Sequence, residues 1–169
     1  SLTKGEIEGR KAALEAIAAL KEYMPGCSAG KLRNFGMTIG IRDTYKIDSV
    51  YNLSDEDVKN ECRFEDSVGI YPEFIDGFGV LVLPTTGRYM HIPYRSLLPK
   101  NIKGLLVVGR AIGGSNIAHA ATRNMACCTV TGQGAGVAAA ETIKNKTSLN
   151  TVNISNVQKL LSKQNVRVF

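Results

Sequence analysis

Carboxylates are almost missing from the second half of this chain. Of its 169 residues 15 are acidic, and only Glu141 lies beyond Asp76. Eleven basic residues from Arg88 onward leave residues 77–169 with a balance of +10, against −4 for residues 1–76. The second half is thus poorly equipped for acid–base chemistry by paired carboxylates and well equipped to meet anions. No apolar run approaches the roughly 18–20 residues of a membrane span. The opening SLTKGEIEGRK is polar and charged, not a secretory leader, so a cytoplasmic location is expected. Cys27, Cys62, Cys127 and Cys128 form no CxxC pair, and His91 and His119 are not spaced as their partners. That argues against a metal site and for free thiols in a reducing compartment. The basic residues are not interleaved with aromatics and match no nucleic-acid motif, so no nucleic-acid partner is expected. No internal repeat or low-complexity tract is present.

What is present is a folded composition, 44% hydrophobic and 21% charged. It suffices for one domain with a real core, or for two small lobes. Residues 3–26 carry a helical apolar stripe (Ile7, Ala13, Leu14, Ile17, Leu20), with a capping box from Thr3 and Glu6 and a stop at Pro25–Gly26. Residues 34–53 are rich in β-branched and aromatic residues and predict strand. Ser54 followed by acids predicts a short capped helix. Residues 66–76 and 79–94 predict strands, the second folded into a hairpin at Pro84–Gly87. LLVVG, Leu105–Gly109, predicts a strand buried on both faces of a parallel sheet. Helices are expected over 115–130, over 134–146 and in the tail.

The glycines of LLVVGRAIGGSNIAHAATRNMACCTVTGQGAGVAAAETIK invite a nucleotide reading. Only Gly134–Gly136–Ala139 fits a GxGxxG/A spacing, weakly, and residues 150–165 hold no acid for a ribose. An autonomous NAD fingerprint is therefore excluded. A helix starting in glycine-rich backbone would instead offer free N–H groups and a positive dipole end to negative charge. The alternative is close packing of small residues onto a sheet. Gly109 and Arg110 stand either where ligands bind at strand ends or in a plain turn. Arg123, inside an apolar helix, needs an anion or backbone carbonyls as partners. His91 and His119 are either proton donors or satisfied core histidines.

HIPYRSLLPKNIKGLLVVGRAIGGSNIAHAATRNMACCTVTGQGAGVAAA resembles the C-terminal part of FAD-dependent oxidoreductases with the glutathione-reductase-type flavin fold. In that family an IPYRxLLP segment precedes LLVxGR, an Rxm helix and GQAAGxAAA. Upstream, LTKGEIEGRKAALEAIAALKEYMPG, IGIRDTYKI and YNLSDEDV are similar to further family segments, so the resemblance runs over residues 3–145. It implies an α/β fold, α+β in its first part: the C-terminal fragment of an FAD/NAD(P)-binding fold, with a mixed sheet and a long glycine-started helix. It implies FAD as cofactor and a small-molecule substrate. Gly109 and Arg110 would face the ribityl–phosphate region. The backbone of Gly132, Gln133, Gly134, Ala135 and Gly136 would meet the flavin's pyrimidine edge. Arg42, Tyr94 and Arg95 are substrate candidates; His91, His119 and Arg123 are catalytic candidates.

Two positions depart from the family pattern. Tyr45 replaces an arginine, and GQGAG replaces GQAAG. The family's strand–GxGxxG–helix unit, which holds the ADP half of FAD, does not occur in this sequence. The chain is therefore expected to be the C-terminal portion of a longer flavoenzyme, to partner that N-terminal portion, and to bind FAD weakly or not at all by itself. Expected divisions are residues 1–100 (helix and substrate-domain-like region), 101–146 (closing strand and helix of the FAD domain) and 147–169 (helical tail). The rival reading is a non-catalytic module whose bared apolar surface drives self-association, as a homo-oligomer, or partner binding.

Overall fold

The structure is a computed structural model. It describes every residue except Thr44, Phe78, Gly79, Pro84 and Thr86, and the side chain of Val80. The chain divides into two compact units, Ser1–Ile41 and Arg42–Phe169.

In the first unit, α1 (Leu2–Tyr23) is capped by Ser1, whose hydroxyl accepts from Lys4 N at 3.3 Å. The expected Thr3–Glu6 capping box does not form, because both residues are already inside the helix. Glu6 instead accepts from the backbone N–H of Ile39, tying the returning segment to α1. Pro25–Gly26 ends the helix as expected, with Gly26 at φ +85°. The apolar stripe is there, but no residue of α1 is buried.

The second unit holds the core. Its short α2 (Asp55–Lys59) has the expected Ser54 cap, completed by the Asp57 carboxylate accepting from Ser54 N at 2.8 Å. Four strands follow: β1 (Ser67–Pro72), β2 (Ile75–Gly77), β3 (Val80–Val82) and β4 (Tyr89–Pro93). β1 pairs antiparallel with β4, and β2 with β3. β2 and β3 pair with Gly77 opposite Val80 and Ile75 opposite Val82; the fold expected at Pro84–Gly87 falls on Pro84 and Thr86, which lie outside the described residues. Ile70 faces His91 and Ser67 faces Pro93, so β1 carries one extra residue, a bulge.

Helices α3 (Asn116–Thr122), α4 (Met125–Asn145) and α5 (Ile154–Lys163) complete the unit. β1 and β4 bury Val68, Tyr71, Met90 and Ile92 against Cys127, Ala135 and Ala138 of α4 and Val157 and Leu161 of α5. The tail is fastened to this unit: Gln158 Nε2 donates to Glu65 O (2.7 Å) and Ser67 O (3.0 Å).

Four expectations fail here. Residues 34–53 form no strand among those described, only isolated bridges at Ser49 and Leu53, the two positions of that stretch that are buried. Ile39 and Ile41, whose branching suggested strand, are exposed and belong to no strand. Residues 105–108 are extended but join no sheet: Val107 N reaches Leu97 O (2.9 Å), while Leu105 and Val108 stay 42% and 39% exposed. Helix and sheet content fits the α/β class, but the described sheets are two antiparallel pairs, not a mixed sheet. Finally, the long helix is not glycine-started. The chain breaks at Arg123–Asn124 and α4 then runs unbroken through Gly132–Gly136. Among the described residues, no helix is long and apolar enough to cross a membrane.

Candidate functional site

The residues singled out in the sequence separate into three places. His91, Tyr94 and Arg95 belong to the scaffold around β4. His91 Nδ1 accepts from Phe64 N at 3.1 Å, and its ring lies between Tyr89 and Phe169. Tyr94 is buried, with its hydroxyl donating to Leu149 O at 2.9 Å. Arg95 grips Asp66 with a fork, Nε to Oδ2 at 2.9 Å and Nη2 to Oδ1 at 3.2 Å, and its guanidinium lies over the Tyr51 ring. That tyrosine donates in turn to Asp57 at 2.9 Å, linking strand, turn and α2. Arg95→Ala is accordingly expected to cost about 1–2 kcal/mol in urea unfolding. Arg95→Lys should restore less than half of that, because an ammonium cannot reproduce the fork.

The second place is the start of α4. Gly109, in the left-handed region at φ +69°, opens a single turn of 3-10 helix, Gly109–Ala111, in which Arg110 is exposed. Its N–H donates to Thr131 Oγ1 at 3.0 Å, so it lies over the first turns of α4. The α4 N-terminus is open. Asn124 makes no capping bond; its amide donates back to Ala121 O at 2.9 Å. The first helical bond comes from Cys128 N, so the N–H groups of Met125, Ala126 and Cys127 have no acceptor within the helix. Met125 is 82% exposed.

The open backbone N–H groups thus lie two turns before the glycines that the sequence singled out. Gly132, Gln133, Gly134, Ala135 and Gly136 lie inside α4, where the ladder already occupies their N–H groups. A Cβ on Gly134 would stand 2.7 Å from Val68 Cβ, so this glycine serves close packing on β1. Gly132 and Gly136 face open space, and Gln133 donates to Gln164 at 2.9 Å. Composition made the glycines conspicuous; the true helix start, RNMA, carries no strong signal.

The third place gathers Arg42, His119 and Arg123. Arg42 pairs with the Asp76 carboxylate at 2.9 Å. Arg123 ends α3 and donates to the Asp76 backbone carbonyl, one of the two partners the sequence allowed. His119 is buried, with the Asp43 carboxylate 3.7 Å away and Lys46 holding that same oxygen at 3.0 Å. Sequence reasoning pointed to Lys46 only as a cation of the loop beside Tyr45, and missed Asp43 and Asp76, which stand too far from α3 in the chain for spacing to show them. Among the described residues, no three His, Cys, Asp or Glu side chains converge as metal ligands.

Burial holds the pKa values of both imidazoles below the ordinary 6.5. Below about pH 6.5 the unfolded chain binds protons that the folded chain refuses. The histidine contribution is therefore complete above that pH and declines as the pH falls toward the lower folded values. A second loss is expected below the ordinary carboxyl value of 3.8. There Asp43 is held low by its hydrogen bond from Lys46, and Asp57, despite burial that pushes it up, by bonds from Ser54 and Tyr51. Urea midpoints measured across the acid range should show both steps, and His91→Gln should flatten the upper one.

An open helix N-terminus beside a left-handed glycine leaves backbone N–H groups that favour negative charge. Residues 1–161 match the family model described as FAD dependent oxidoreductase, and the chain belongs to that family. The cofactor of the family is FAD. No curated protein and no solved structure was found to match.

Proposed function

We propose that this chain supplies the pyrimidine-edge and substrate side of a flavin site in an FAD-dependent oxidoreductase. The observation that carries the reading is the open α4 N-terminus beside Gly109. Leu105, Val108 and Met125 add exposed apolar surface of the kind a ring system covers. The residues therefore fit one edge of the cofactor. The amides of Met125 and Ala126 would face its pyrimidine end, and Gly109 and Arg110 its ribityl side. When bound, FAD supplies hydride-transfer chemistry; the chain's part is to orient the ring, favour negative charge at its edge and exclude water. Arg42, His119 and Arg123 form the substrate side. Neither GxGxxG nor any equivalent unit occurs in the sequence, so on this reading the ADP half is held by a segment outside these 169 residues.

Backbone NMR with riboflavin tests the assignment. The amide resonances of Met125, Ala126 and Gly109 should move, and those of Gly134 and Ala135 should not. Movement confined to Gly132–Gly136 would overturn it.

A second reading, self-association without catalysis, is favoured by one observation. Met125 and Ile143 at the two ends of α4 are 82% and 79% exposed. Sedimentation over a range of concentrations separates the two: a stable dimer unaffected by riboflavin would support the second.

A further inference from the structure

His119 is 2% exposed, and neither ring nitrogen has a hydrogen-bond partner among the described residues. A buried imidazole ordinarily satisfies at least one nitrogen. The Asp43 carboxylate at 3.7 Å is too far for a hydrogen bond, and the Arg110 carbonyl faces the ring without completing one. Arg123, one helical turn further on, makes no ion pair among the described residues; its guanidinium reaches only the Asp76 carbonyl. The Asp76 carboxylate belongs to Arg42. Lys46, His119 and Arg123 thus share a single nearby anion, Asp43. Its carboxylate is 36% exposed and lies on a segment without regular secondary structure, so it can move away.

We propose that Asp43 occupies the place of a substrate carboxylate: Lys46, His119 and Arg123 form a recognition point for a small carboxylate, which binds by displacing Asp43. The inference deepens the substrate side proposed above by naming a substrate class, and it rests on that reading for its role in catalysis. The donors suit a planar monoanion. One oxygen takes an imidazole N–H, and the other takes the guanidinium that no carboxylate pairs with. Inorganic phosphate, with four oxygens and a higher charge, would leave acceptors unmet.

The test uses the full chain, isotopically labelled at histidine, titrated with acetate and malonate at constant ionic strength, with inorganic phosphate for comparison. The chain has only two histidines, so His91→Gln assigns both signals. His119 should shift saturably with acetate while His91 stays still. Asp43→Asn, which keeps the size of the side chain and removes its charge, should tighten acetate about tenfold by weakening the resident competitor. Arg123→Gln should abolish the saturable shift. The proposal is overturned if His119 shows no saturable shift in either the parent chain or Asp43→Asn. It is equally overturned if phosphate binds as well as acetate, or if both histidines drift together with added salt. The riboflavin titration reads the α4 amides and this one reads His119, so either can fail while the other holds.

Discussion

Gly113→Ala is expected to destabilise residues 42–169 by about 3–5 kcal/mol, a large share of a domain's total stability. A Cβ at position 113 would fall on the Ser49 hydroxyl and on Asn52 Oδ1. Ser49 is fully buried, and its hydroxyl lies 2.7 Å from Tyr51 O and 2.8 Å from Asn52 Oδ1. The backbone of Gly113 also accepts from Leu53 N at 3.1 Å and donates to Ser96 O at 3.2 Å, so it cannot shift without breaking that pairing. Thermal unfolding should show the midpoint falling by about 10 °C or more. The double variant Ser49→Gly/Gly113→Ala, with the Ser49 side chain removed, should recover part of the loss. A midpoint within a degree or two of the parent would show that this junction is looser than described.

The second large effect is expected at Gly134. Leucine there should cost about 3 kcal/mol, since α4 can accept a larger side chain only by lifting off β1. Val68, fully buried, places its Cβ and Cγ2 at 2.7 and 3.0 Å from the added atom. Gly132→Ala and Gly136→Ala face open space and should each stabilise the helix by up to about 1 kcal/mol. Urea unfolding of the three variants therefore separates packing from ligand contact within one motif. If all three glycines behaved alike, the helix would not be seated on β1 as described.

The sequence showed what local chemistry determines. Ser54 with Asp57, the Pro25–Gly26 stop, and the α1 and α5 patterns are each set by neighbours a few residues apart. It misled where long-range partners decide. LLVV has the composition of a buried strand, but strand pairing depends on a neighbour, and among the described residues its backbone bond is from Val107 N to Leu97 O. The glycines of GQGAG looked like a helix start because glycine often punctuates helices. Here Gly134 is needed for proximity to Val68, a relation between residues 66 positions apart. Of the site, Arg123 was visible as a charge inside an apolar helix, while Arg42 and His119 came from the family resemblance. Asp43 and Asp76, which draw them together, look like ordinary surface acids.

The central claim is that this chain holds the ring edge of a flavin and not its ADP half. Fluorescence quenching of riboflavin and of FAD by the purified chain, compared side by side, tests it most directly. Equal and weak binding of the two, with no FAD retained on desalting, is the predicted result. FAD bound much more tightly than riboflavin, and carried through desalting, would place the phosphate-holding half within these residues and contradict the account.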